Sequence, residues 1–182
     1  AEAVRERLAE LAMEGAGFEV SLPPRSARGP AGDESAEFLI APNPGVPAGP
    51  LREIASGGEL SRVMLALMGV AAEGGDASAD APLLVFDEVD AGIGGHTARA
   101  VGERLRALAS GRQVLCITHL PQVASLADRH FRIEKDAGTV PARATVAELR
   151  TDDVVGELVR MLGADAEDSA ARRHARSLLK AA

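Results

Sequence analysis

The sequence predicts an α/β fold with a parallel-sheet core, on the evidence of two short apolar runs and the helical stretch between them. Leu83-Leu84-Val85-Phe86 is continuously apolar, as expected of a strand buried on both faces. Gln113 to Thr118 is a second such run, and the stretch from about Gly95 to Ser110 carries Ala98, Val101, Leu105 and Leu108 along one side. Strand, helix and strand make a βαβ unit, whose crossover is expected to be right-handed.

The flanking elements follow in order. Residues 1–14 read as a helix, with Val4, Leu8 and Leu11 separated by Glu and Arg. Three apolar positions suit the end of a coiled coil and an ordinary amphipathic helix equally. Phe18 to Leu22 alternates like a strand, and Glu37 to Ile40 returns as its antiparallel partner. The Pro-, Gly- and Arg-rich stretch from Pro23 to Gly32 between them reads as a loop. A second proline-rich passage, Pro42 to Pro50, is too constrained for helix or central strand. From Gly58 onward Leu60, Val63, Met64, Leu67, Met68 and Ala71 recur at helical spacing, and Leu65, Ala66 and Val70 widen the stripe nearly all round. That helix is expected to be deeply buried, to end at Gly74-Gly75, and to lead into a mobile surface loop reaching Ala81. Residues 130–134 and 143–149 read as further short strands, and two helices, about 152–162 and 167–180, close the chain, the first stopped at Gly163.

Composition narrows the function. At 182 residues and 46% hydrophobic, the chain can form one domain with its own core or one lobe of a larger one. A net charge of −7 argues against a free-standing nucleic-acid binder, and the absence of Trp and Tyr removes the stacking platform of single-strand binders. The single cysteine, Cys116, excludes an internal disulfide and a cysteine zinc cluster, and its apolar surroundings predict an inert buried thiol. No apolar stretch approaches the ~20 residues of a membrane span and none reads as a signal peptide, so a cytoplasmic setting without membrane contact is expected.

Chemistry concentrates at the carboxyl ends of the two parallel strands, where open α/β sheets collect ligands. The first strand ends in Asp87-Glu88 and the second in Thr118-His119. One crossover helix joins them, so both ends face the same sheet edge. A buried strand ending in two acids is the Walker B arrangement. Asp87 would hold Mg²⁺ through water, and Glu88 would orient the water that attacks a γ-phosphate. His119 would donate to a γ-phosphate oxygen. Ser56-Gly57-Gly58-Glu59 opens the long helix, where backbone N–H groups and the helix dipole favour an anion and Ser56 is placed as N-cap. Each piece also has a bland reading: a solvated strand end, a structural histidine, a Gly-Gly turn. Gly92-Ile93-Gly94-Gly95 imitates a dinucleotide-binding loop, but its spacing fails and the acids before it would repel a pyrophosphate.

Taken together and in this order, the pieces resemble the signature helix, Walker B strand and switch histidine of ABC-type ATPases. Ala55-Ser56-Gly57-Gly58-Glu59-Leu60-Ser61-Arg62 looks like the signature in the form found in RecN-type DNA-repair ATPases. Phe86 to Gly95 is similar to that family's Walker B and D-loop, and Ile117 to Ala124 to its histidine switch. The resemblance implies that residues 17–182 are the C-terminal lobe of an ATPase head and residues 1–16 the end of a coiled-coil arm. No G-x-x-x-x-G-K-[ST] occurs, so the Walker A loop is expected in an N-terminal lobe of the same protein, and this chain alone should hydrolyse almost no ATP. The resemblance further implies a homodimer of heads. In it Ser56, Gly57 and Gly58 contact the γ-phosphate held by the opposite head, Asp87, Glu88 and His119 serve their own nucleotide, and Asp90 reaches across in the D-loop. The expected cofactors are ATP and Mg²⁺, with DNA reached through the full-length protein in a nucleoid-associated setting. Arg62 either braces the helix or approaches phosphate. The alternatives are a nucleotide-binding subunit of a membrane transporter and a nucleotide-gated scaffold.

Overall fold

The computed structural model describes residues 1–30, 32–53, 56–73, 83–136, 138 and 143–182. Ala55, the Gly74-Gly75 stop and the loop reaching Ala81 lie outside the described residues. The chain divides into two units, Ala1–Ile117 and Thr118–Ala182.

The first unit begins with helix α1, Glu2–Glu10. It ends at Glu10 rather than near residue 14, because Ala12 takes a left-handed φ of 57° and Met13 N–H donates back to the Leu8 carbonyl at 3.0 Å. Its apolar stripe is spent inside the unit, with Val4, Leu8, Leu11 and Met13 buried. Arg104, on the later helix α3 (Gly95–Ala109), pairs with Glu10 and ties the helix end down. Strands β1, Gly17–Ser21, and β4, Glu37–Ala41, pair antiparallel with Phe18 opposite Ile40, as the alternation predicts. Strand β5, Gly49–Pro50, adds at the edge of β4, where a proline's missing N–H breaks no ladder bond.

The Pro23–Gly32 stretch is not a loop. Strands β2, Pro24–Gly29, and β3, Gly32–Glu34, form an exposed irregular ribbon. Arg25 Nε donates to the Glu34 carbonyl at 2.9 Å, and Ser35 N–H to the Pro23 carbonyl at 3.0 Å, so backbone pairing rather than an apolar pattern holds it.

A short 3₁₀ turn, Leu51–Glu53, precedes α2, Gly57–Glu73. This helix is buried along one side only. Val63, Leu65 and Ala66 are in the core, while Leu60 is exposed and Met64, Leu67, Met68 and Val70 are half-buried. The helices α1 and α3 cover only part of its circumference. Strands β6, Leu84–Phe86, and β7, Val114–Cys116, run parallel in register Leu84↔Val114 to Phe86↔Cys116, joined through α3, Gly95–Ala109. Ala98, Val101, Leu105 and Leu108 are the buried side of α3, as the spacing predicts. The expectation of a sheet buried on both faces fails. Phe86 is buried on the helix side, but Val85 is 57% exposed and Leu115 44%, with Leu83 and Ile117 exposed on the same face. The helices of this unit cover one face alone.

The second unit opens with a single turn, α4, Pro121–Ala124. Strands β8, His130–Asp136, and β9, Arg143–Leu149, form an antiparallel ladder, crossed by an Arg129–Glu148 hydrogen bond of 2.8 Å. Helices α5, Thr151–Met161, and α6, Ser169–Lys180, pack around Val154, Leu158, Val159 and Ala175. Gly163, at φ 70°, ends α5 as expected. Asp168 caps α6, its Oδ1 accepting from Ala170 and Ala171 N–H at 2.8 and 3.0 Å. Among the described residues no helix is long and apolar enough to cross a membrane.

Candidate functional site

The N-terminus of α2 sits directly on the turn that follows β6. Ser56 is the N-cap, its Oγ accepting weakly from Glu59 N–H at 3.4 Å and its carbonyl from Leu60 N–H at 3.0 Å. Gly58 is buried against that turn. A Cβ there would lie 2.8 Å from Ala91 Cβ and within 3.1 and 3.2 Å of the Glu88 and Ala91 carbonyl oxygens. Only a glycine lets the two backbones approach this closely. A Cβ on Gly57 would meet Glu88 Oε2 at 2.6 Å, so the Glu88 carboxylate lies beside the helix start, where the dipole favours negative charge.

The turn itself is held from below. Val89 is fully buried and Asp90 is 2% exposed, whereas Asp87 and Glu88 face solvent. Glu88 adopts a left-handed φ of 56°, rare for a residue with a side chain, and its carbonyl accepts from Ala91 N–H at 3.0 Å. Ser61 Oγ donates to the Asp87 carbonyl at 2.7 Å, and Arg62 Nη1 donates to the Ala91 carbonyl at 2.9 Å. The sequence had left Arg62 between two roles. Here it reaches the turn, is 7% exposed, and among the described residues its buried Nε has no hydrogen-bond partner. Burial pulls its pKa down, and Glu59 on the same helix opposes the shift. Ser61 is the residue that sequence reasoning missed. A serine in the first turn after Gly-Gly carries no signal that its hydroxyl will serve a distant carbonyl.

Pairing of β7 with β6 continues one residue further, where Ile117 N–H donates to the Phe86 carbonyl at 2.9 Å. Cys116 is half-buried there. Its pKa is pushed up to about 12, first by desolvation and then by the fields of Asp90 and Asp87, so its thiol is protonated and unreactive near neutrality. The inert thiol was expected. Gly94 caps α3 without a side-chain bond, and Gly92 and Gly95 have φ of 74° and 54°, as a turn between the acids and the helix requires.

Ser56, Gly57, Gly58, Glu59, Asp87, Glu88 and Asp90 all belong to the first unit, and its packing joins the α2 N-terminus to the acid turn. His119 lies in the second unit, exposed in the bend that leads into α4, where Leu120 N–H donates to Thr118 Oγ1 at 3.0 Å. Among the described residues no group of three or more His, Cys, Asp or Glu side chains is placed to hold a metal.

No protein-family profile matches the chain. Individual relatives do. It is 48% identical over 156 residues to the DNA repair protein RecN of Streptomyces coelicolor, covering 86% of this chain and 27% of that protein. It is 44% identical over 170 residues to RecN of Deinococcus radiodurans (93% and 29%), and 38% over 180 residues to RecN of Vibrio cholerae (98% and 32%). Among solved structures it is similar to an Smc head domain with a coiled coil and joint from Pyrococcus yayanosii. That match has a TM-score of 0.56 at 21% identity, over 84% of this chain and 27% of that one. An Smc head domain with an extended coiled coil, bound to the C-terminal domain of ScpA, from Pyrococcus furiosus gives 0.55 at 20%, over 87% and 37%. The fold is that of an SMC-type head, and the chain spans under a third of the length of these RecN relatives. On sequence identity sustained across most of its length, the chain belongs to the RecN family of DNA repair proteins.

Proposed function

We propose that residues 17–182 are the C-terminal lobe of an ATP-hydrolysing head, with residues 1–16 as the end of a coiled-coil arm, in a protein that repairs or tethers broken DNA. One observation carries this reading: the glycine-opened N-terminus of α2 is packed against an exposed Asp-Glu pair at the carboxyl end of a parallel strand. Phosphate-binding backbone and phosphate-processing acids thus lie in one body. The open face of the β6–β7 sheet supports the second half of the reading, an N-terminal lobe carrying the Walker A loop. Four exposed apolar side chains there are a surface that such a lobe would bury. The names of the relatives favour DNA repair over the transporter alternative.

The residues present fit the cofactors. Mg²⁺ keeps water and takes one or two carboxylates plus phosphate oxygens, so the single exposed Asp87 suits it where a three-ligand cage is not required. When bound, Mg²⁺ would neutralise charge on the phosphates of ATP. Glu88 would accept a proton from the attacking water and orient it, and His119 would donate to a γ-phosphate oxygen. Ser56, Gly57, Gly58 and Glu59 would present the α2 N-terminus to the γ-phosphate of ATP held by a second head, with Asp90 contributing from the D-loop. Dimerisation then completes the site and loss of the γ-phosphate opens it, because contacts vanish on both sides at once. We place the protein in the cytoplasm, on the nucleoid.

Steady-state ATP turnover by this chain joined to its N-terminal lobe tests the reading. Glu88→Gln is expected to cut the rate by roughly 10²–10⁴ while ATP still binds. Equal turnover in wild type and variant would make Glu88 a structural acid and leave the scaffold alternative in front.

A further inference from the structure

The seam between α2 and the acid turn contains one charged side chain that touches neither nucleotide nor solvent in the proposed reading. Arg62 lies on α2, directly under the turn, and as a residue is 7% exposed. Burying a guanidinium is costly unless its donors are used, and among the described residues Nε has no hydrogen-bond partner. Among the described residues the side chain makes one hydrogen bond, Nη1 donating to the Ala91 carbonyl at 2.9 Å, across 29 residues of sequence. That carbonyl closes the same turn in which Glu88 holds a left-handed φ and Asp90 is buried. Gly58 touches the turn from the neighbouring position on the helix, so the helix start and the turn cannot slide past one another while the arginine holds.

We propose that Arg62 is a positioning residue, a brace from α2 to the Ala91 carbonyl that fixes where Glu88 and Asp90 stand relative to the N-terminus of α2. The inference rests on the ATPase reading above and adds a way for it to be regulated internally. Contact made by the α2 N-terminus with phosphate on one head reaches, through Arg62, the acid turn that acts on the other nucleotide. Approach of Arg62 to phosphate, the other role open to it from sequence, is set aside by its burial beneath the turn.

The test uses the full-length protein with Arg62→Met and Arg62→Lys, and Glu88→Gln as a reference. Arg62→Met is expected to lower kcat about 10-fold or more, the worth of a hydrogen bond from a charged donor, with KM for ATP unchanged. Amide hydrogen exchange at Ala91 and Ile93 should quicken in the same variant. Arg62→Lys should fall between wild type and methionine in both readouts, since an ammonium can still reach one carbonyl. A purely structural arginine would change overall stability without the split between kcat and KM or the local exchange. Wild-type kcat in Arg62→Met, with Glu88→Gln inactive, would overturn the brace and leave the ATPase reading standing. If Glu88→Gln keeps full turnover, the catalytic role given to Glu88 fails, and exchange at Ala91 and Ile93 still decides the brace. Should the methionine variant not fold, the lysine variant decides it alone: wild-type values in both readouts overturn it, and faster exchange with lower kcat supports it.

Discussion

The carboxyl end of strand β6 and one of its faces are finished in opposite ways. At its carboxyl end the chain turns beneath α2 in a seam so close that Gly58 admits no methyl group, with Ser61 and Arg62 bonded to backbone carbonyls of the turn. Along its length, the face that Val85 shares with Leu115 stays about half exposed among the described residues. In sequence the apolar run of β6 looks buried on both faces, while the acid pair that follows also reads as a solvated strand end. The contrast separates a turn that its own unit packs closely from a sheet face that the same unit leaves largely exposed.

If that contrast is right, substitutions in the two regions should respond differently to the rest of the protein. The largest effect is expected from Leu115→Asp. In the full-length protein it should cost about 3 kcal/mol or more in unfolding free energy, because a charge would be buried where leucine packs. In the isolated chain it should change stability by about 0.5 kcal/mol or less, as surface substitutions do. Equal costs in both, read from denaturant midpoints, would break the comparison. Next comes the seam. Gly58→Ala should cost about 1–3 kcal/mol in either form, since the new methyl meets backbone and Ala91 that cannot move aside. Gly57→Ala should cost much less, because among the described residues its obstacle is the end of the flexible Glu88 side chain.

Smaller effects come from the second unit and serve as controls. Asp168→Ala removes the cap of α6 and should lower the thermal midpoint slightly wherever it is measured. The hydrogen bonds from Ala171 and Ala170 lower the Asp168 pKa, so its contribution is present above its unfolded value near 3.8 and lost as pH falls through the lower folded one. The smallest effect belongs to His130, whose pKa is lowered by burial against an opposing hydrogen bond with the Ala127 backbone. The unfolded chain then binds the proton more readily than the folded one. Stability should be full above about pH 6.5 and decline as pH falls below it, and His130→Gln should flatten that slope in thermal melts.

Much of this architecture is legible in the sequence because period carries it. Ala98, Val101, Leu105 and Leu108 announce α3, alternation announces β1 and β4, and Gly163 marks the end of α5. The failures have physical causes. The β2–β3 ribbon is held by backbone pairing and Arg25, which leave no apolar pattern to read. An alanine in a left-handed conformation, Ala12, ends α1 without any of the residues that usually mark a stop. The run Leu83 to Phe86 says that burial is wanted, but not that one face must find its cover elsewhere. At the site, the Ser-Gly-Gly-Glu and Asp-Glu positions are visible as motifs. The bonds of Ser61 and Arg62 are not, because each ends on a main-chain carbonyl, which has no side-chain identity to recognise.

The central claim is that Ser56 and Glu88 of one head serve different nucleotides. The measurement that tests it most directly is ATP turnover by an equal mixture of full-length Ser56→Arg and Glu88→Gln proteins, each nearly inactive alone. A mixed dimer would retain one site with both residues intact, so the mixture should recover roughly a quarter of wild-type turnover, half the dimers having one live site of two. A mixture as inactive as its two components, with mixed dimers present, would place both residues at the same nucleotide and contradict the account.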